Sequence, residues 1–268
     1  MPQSSNDSES AACRVEIDPA GAFATITLAM PEVRNAFSAA LAHSLVAALD
    51  EVEETNVRAA ALVADGPAFC VGGDLQNFSR ELAEGSLVDR VMGDMELFNP
   101  LIVRLTNTPV PIIAGLHGAV AGGGLALAAA CDIRVCTPDA FFVPGFAGIG
   151  LPPDTGTSWL LPRLIGASRA TDFLLRNRRM SADEALQNGL VAEIIADPAG
   201  RAIDIARELA AGPRQALAST KELLLASGNR SFEDQLLAEG VDVKAALLGP
   251  ELGEGITAFV EKRPAKFP

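Results

Sequence analysis

The stretch Pro109 to Asp132, PVPIIAGLHGAVAGGGLALAAACD, constrains the fold most. Its short apolar run, Pro111-Ile112-Ile113-Ala114-Gly115-Leu116, predicts a buried strand that begins beside a proline. Gly118, Gly122, Gly123 and Gly124 follow, and then Leu125-Ala126-Leu127-Ala128-Ala129-Ala130, a strong helix former. The order is strand, glycine turn, helix. Such a junction leaves backbone N–H groups unpaired at the positive end of the helix dipole. It suits an anion or a developing negative oxygen. The alternative is that the glycines only let two backbones pack closely. The spacing is neither G-x-G-x-x-G nor a Gly-Lys-Ser/Thr loop, which argues against dinucleotide and P-loop readings.

A chain of 268 residues can bury a large core as one main domain with an appendage. Apolar residues at 49% and charged residues at 21% fit a globular enzyme. A formal net charge of −13 disfavours nucleic acid or anionic lipid as a general partner. With no Tyr and a single Trp there is no aromatic stacking platform for bases. Cys13, Cys70, Cys131 and Cys136 form no C-x-x-C and read as reduced, buried thiols. Residues 1–12 read as a disordered tail rather than a signal peptide, and no apolar run would span a bilayer. A cytoplasmic protein is expected.

Along the chain, Cys13 to Ile17 and Ala22 to Leu28 predict a hairpin around Asp18-Pro19-Ala20-Gly21. Ser38 predicts a cap for a helix with Leu41, Leu45, Leu49 and Val52 on one face. His43, beside that stripe, reads as a surface residue. Ala59 to Ala64 predicts a buried strand that runs into a second glycine turn, Ala68-Phe69-Cys70-Val71-Gly72-Gly73-Asp74-Leu75. Asp74 can cap the next helix, and Cys70 reads as an inert thiol. Leu87 to Leu105 is helical, with Pro100 as a break or start. Cys131 to Val135 is a short strand, and Phe141 to Phe146 an apolar loop. Asp154 reads either as a helix N-cap or, among apolar neighbours, as a carboxylate with a raised pKa. Ser181 to Glu184 forms a capping box, and Gly189 ends that helix before a strand from Leu190 to Ile195. The domain reading is a core of 13–198 followed by a helical region of 199–268.

These motifs together resemble the crotonase superfamily, the enoyl-CoA hydratase/isomerase family. The resemblance spans about Val15 to Phe267. It rests on Ala68 to Leu75, on Gly118 to Gly124, on Ser181 to Leu186 with Gly189-Leu190-Val191, and on Ala258-Phe259-Val260-Glu261-Lys262-Arg263. It implies an α/β spiral of strand–strand–helix repeats with a C-terminal helical region that forms trimers or dimers of trimers. It further implies an oxyanion hole from the N–H groups of Gly73 and Gly123, which would hold the thioester oxygen of an acyl-CoA. Coenzyme A would come as part of the substrate, with no separate cofactor and no metal. Arg34, Ala36, Val71, Gly72 and Leu75 would line the nucleotide and pantetheine, and Phe259 and Lys262 would reach them from the last helix. Arg263 and Lys266 extend that basic end.

The chain also departs from the hydratase pattern. The two positions that match the family's water-handling glutamates hold Ala126 and Phe146. The carboxylate left at a family catalytic position is Asp154, which matches the acid of several isomerase branches. The run PDTGTSWLLPRLIG also resembles the 4-chlorobenzoyl-CoA dehalogenases, but their His and Trp positions here hold Leu97 and Phe146. The expected reaction is double-bond isomerisation of an enoyl-CoA with Asp154 as acid and base. Phe142, Phe146, Leu151 and Trp159 would keep its pocket dry. The alternatives are hydration by another route, dehalogenase-like chemistry, or a non-catalytic CoA-binding protein.

Overall fold

The computed structural model describes residues 12–268. The expected tail therefore lies outside the described residues except for Ala12, whose C=O accepts from the Ala29 N–H. Strands β1 (Cys13–Ile17) and β2 (Phe23–Leu28) pair antiparallel as the predicted hairpin. Its turn is held by the Asp18 carboxylate, which accepts from the Ala20, Ala22 and Phe23 N–H groups. Parallel pairing then adds β3 (Ala59–Ala64), β4 (Ile112–Leu116) and β6 (Ile133–Cys136), and finally β9 (Glu193–Ile194) at the far edge. A second sheet runs β5 (Ala119–Ala121), β7 (Phe141–Val143) and β8 (Met180–Ser181).

The alternation of side chains along each strand divides the interior in two. Ala60 and Leu62 of β3, with Ile112, Ala114 and Leu116 of β4, face the larger core. That core also takes Leu41, Leu45, Leu49 and Val52 from helix α1 (Ala39–Glu54), the stripe predicted above. Helices α2 (Leu75–Glu84) and α3 (Leu87–Asn107) come next in the chain, and α3 adds Phe98, Leu101, Ile102 and Leu105. Helix α4 (Gly123–Ala129) is wholly buried in the same core and packs against α5 (Thr157–Ile165). Ala59, Ala61, Val63, Ile113 and Val135 point the other way, onto α8 (Pro198–Ala210). Between them in the chain lie α6 (Ala167–Arg176) and α7 (Ala182–Gln187). Within the helical region, α8 thus covers the main sheet. In α9 (Arg214–Ser227) and α10 (Phe232–Leu248) no residue is buried, and α11 (Pro250–Glu261) buries only Ala258.

The caps form where the sequence places them. Ser38 accepts from Leu41, Asp74 from Gln76 and Asn77, and Ser181 from Glu184. Three expectations are corrected. Pro100 lies inside α3 and does not break it. The proline is exposed, so water can satisfy the carbonyl one turn back that it leaves unpaired. The apolar loop over Phe141 to Phe146 begins as strand β7, because β5 offers it a parallel edge. The strand expected over Leu190 to Ile195 keeps only Glu193–Ile194 in the sheet.

Candidate active site

Two loops meet beside α4. Residues 68–73 leave β3 and run alongside β5 through a parallel bridge between Cys70 and Val120. The Ala121 N–H donates to the Cys70 C=O at 3.0 Å. The pairing carries Gly72 against the glycine turn that starts α4. A Cβ on Gly72 would lie 2.6 Å from the Gly123 nitrogen and 2.8 Å from the Ala121 oxygen, and Gly72 has φ +72°. Gly122 turns the other loop with φ +53°, and its N–H donates to the Val143 C=O. Gly124 sits directly on the Cys70 carbonyl. Glycine is therefore required for both close packing and left-handed backbone.

The same geometry leaves two donors free. The Gly72 C=O accepts from the Phe37 N–H at 2.8 Å. A trans peptide directs its N–H opposite its C=O, so the Gly73 N–H points away from Phe37. Gly123 is the first residue of α4 and has no intrahelical acceptor. Among the described residues neither N–H finds a partner. The walls are aromatic. A Cβ on Gly73 would meet the Phe78 ring at 2.7 Å, and one on Gly123 would strike the Phe37 ring. Phe37 in turn stacks on Phe98 with ring centroids 3.5 Å apart. Cys70 is fully buried, and burial pushes its thiol pKa up to about 12, so it is inert as a nucleophile.

Asp154 does not cap α5. That helix begins at Thr157 behind Gly156, and the Asp154 carboxylate instead accepts from the Thr155 hydroxyl at 2.8 Å. Its backbone C=O accepts from the Thr157 N–H. The side chain is partly buried. Desolvation raises its pKa, and the Thr155 hydrogen bond opposes the rise. Thr155 and Gly156 have φ of +51° and +80°.

The enoyl-CoA hydratase/isomerase family profile matches residues 19–268. The chain belongs to the enoyl-CoA hydratase/isomerase family. It is 37% identical to a probable enoyl-CoA hydratase of Rhodobacter capsulatus, which covers 91% of this chain and 93% of that one. It is 33% identical to the 1,2-epoxyphenylacetyl-CoA isomerase of Escherichia coli K12, over 91% of this chain and 94% of that one. Among solved structures, an enoyl-CoA hydratase from Polaromonas sp. JS666 matches with a TM-score of 0.88 at 32% identity. It covers 96% of this chain and 99% of that one. The strand–strand–helix spiral is that of this family, and the chain is an enzyme of it.

The remaining residues divide by position. Ala126 is fully buried and Phe146 is 6% exposed. Leu97 packs against the large core. Val71 and Gly72 lie at the glycine turn, whereas Leu75 is exposed at the start of α2. Arg34 has φ +54° and is exposed, and Ala36 beside it is buried. Phe142 is fully buried and belongs to the large core. Leu151 is exposed, and Trp159 is 38% exposed. Trp159 carries the Arg163 guanidinium 3.6 Å from its ring centroid and opens onto a different space. That cavity, of about 520 Å³, lies between α3, α5 and α9 and is lined by neither glycine turn nor Asp154. Of the residues expected to wall an apolar pocket, Phe142 and Phe146 are buried, while Leu151 is exposed and Trp159 faces this cavity. Phe37 and Phe78 line the glycine crevice.

At the C-terminal end Phe259 is 86% exposed and Lys262 ends α11 with φ +55°. Arg263 is engaged in ion pairs with Glu254 and Glu261. It forms a two-pronged pair with Glu254, whose carboxyl is held down to about 2. Asn35, which sequence reasoning missed, is fully buried. Its side-chain NH₂ donates to the Asp65 and Ala68 carbonyls, its Oδ1 accepts from the Met30 N–H, and its own C=O accepts from the Cys70 thiol. Nothing in the local sequence marks it, because each partner except Met30 is distant in the chain.

Proposed function

We propose that the enzyme isomerises the double bond of an enoyl-CoA through an enolate. The observation that carries this reading is the carboxylate of Asp154. It is partly buried with a raised proton affinity, while Ala126 and Phe146, which by the family resemblance stand where hydratases carry their two glutamates, have no acidic group. A double-bond shift adds no water, so one carboxylate can serve as both base and acid. Asp154 takes a proton from a substrate carbon, and the C–H electron pair passes into the enolate. The negative thioester oxygen is held by the Gly73 and Gly123 N–H groups, each such donor being worth about 3 kcal/mol in mutational tests. Asp154 then returns the proton to another carbon of the same conjugated system, and the thioester carbonyl re-forms.

In this reading coenzyme A arrives with the substrate. Its pantetheine runs past Val71, Gly72 and Leu75 and its nucleotide past Arg34 and Ala36. Phe259 and Lys262 join from the last helix of the same or a neighbouring chain. The 1,2-epoxyphenylacetyl-CoA isomerase among the relatives supports isomerisation, and the Rhodobacter hydratase keeps hydration as the competing outcome. The test is a panel of 2-enoyl and 3-enoyl thioesters with product identification, run on the wild type and on Asp154→Asn. The substitution should lower 3-enoyl to 2-enoyl conversion about a hundredfold or more while acyl-CoA binding is kept. Near-normal turnover by Asp154→Asn, or hydroxyacyl product from the wild type, would overturn the proposal.

A further inference from the structure

We propose that Thr155 is a positioning residue that gives the two oxygens of Asp154 different tasks. The inference rests on the reading of Asp154 as acid and base. Thr155 is 5% exposed, and its hydroxyl donates to Asp154 Oδ1 at 2.8 Å. It makes no other side-chain hydrogen bond among the described residues. Its backbone has φ +51°, a conformation that a β-branched side chain adopts only under strain. Glycine or asparagine would take it readily, and the next residue, Gly156, does so at φ +80°. A strained threonine stands where a relaxed residue would serve the fold, and what the threonine supplies is the hydroxyl. Strain of this kind concentrates where surrounding structure holds a functional group in place.

The consequence is an asymmetric carboxylate. Oδ1 is occupied as an acceptor, and the Thr157 N–H fixes the Asp154 backbone carbonyl at 2.9 Å. Oδ2 is then the oxygen that exchanges protons with the substrate. The proton leaving carbon lands on Oδ2 while its electron pair enters the enolate, and the same O–H bond breaks on return. The Thr155 hydroxyl keeps its proton throughout. Its donation also favours the ionised carboxylate, against the desolvation that raises the pKa. Without it, Asp154 would hold its proton to a higher pH and be a base over a narrower range.

Thr155→Val keeps the shape and the strain but removes the hydroxyl, whereas Thr155→Ser keeps the hydroxyl. The readout is isomerisation of a 3-enoyl-CoA from about pH 5 to about pH 9. We expect Thr155→Val to lose about tenfold to a hundredfold in kcat, with KM within about twofold. The acid limb of its kcat/KM profile should move to higher pH, and Thr155→Ser should stay near the wild type. Should Thr155→Val fail to fold, Thr155→Gly supplies the same test, since glycine accepts this backbone. It should melt no lower than the wild type and yet be slow, a pairing that a merely structural threonine would not give. Wild-type kcat and an unmoved acid limb in Thr155→Val or Thr155→Gly would overturn the proposal. Asp154→Asn, assayed alongside, separates the cases: if it is inactive, only the role of Thr155 falls, and if it is active, the role of Asp154 falls as well.

Discussion

Asp154 shows how little a residue's sequence context says about its environment. Its position after Pro152-Pro153 reads as a helix cap, yet α5 starts at Thr157, beyond two left-handed residues. The positive φ of Thr155 leaves no trace in the sequence, since threonine is not a residue that signals such a turn. The direction of the pKa shift was legible. That shift has a stability consequence. The folded carboxyl keeps its proton to higher pH than the unfolded one, so the folded state binds more protons between the two pKa values. Stability therefore falls as pH rises through that window and does not recover above it. Asp154→Asn removes the ionisation, and its melting temperature should exceed that of the wild type at neutral pH. The gap should close as pH falls below about 3, where the wild-type carboxyl is protonated in both states. Calorimetry across that range checks the sign, and equal curves at every pH would show that Asp154 is well solvated.

At the scale of elements, the two glycine turns were legible because glycine runs after strands have local meaning. Their meeting was not, since it depends on the Cys70–Val120 bridge between segments 50 residues apart. Strands β5, β7 and β8 escaped for the same reason: two or three residues form a strand only where a partner edge is present. The long strand β3 and the Ser38, Asp74 and Ser181 caps were readable because their signals lie within a few residues. The meeting of the turns makes a sharp prediction. Gly72→Ala places a methyl 2.6 Å from the Gly123 nitrogen, on backbone with φ +72°. It should spoil one oxyanion donor and lower kcat by about a hundredfold, by analogy with loss of such a donor elsewhere. Steady-state kinetics with circular dichroism as a folding check would show it. Normal turnover in a folded variant would place the oxyanion somewhere else.

For the whole molecule, the outstanding feature is an uncovered apolar surface on α10 and α11. Leu237, Val241, Leu248, Phe259 and Val260 are each at least 67% exposed in the single chain. A surface of this kind marks an association site. Full-length protein at micromolar concentration should scatter light as three or six chains, and Leu237→Glu with Leu248→Glu should reduce that mass. A wild-type monomer would refute the assembly. The interior carries a different lesson through Asn35. One buried amide binds the segment from Met30, where coenzyme A is proposed to lie, to the loop from Asp65 to Cys70 that delivers the Gly73 donor. The unit that shapes this loop is therefore discontinuous in sequence. A chimera that imports only residues 65–75 would carry a loop shaped for another clasp. One that imports 30–36 together with it would move the proposed nucleotide contact and the proposed oxyanion donor as a single part.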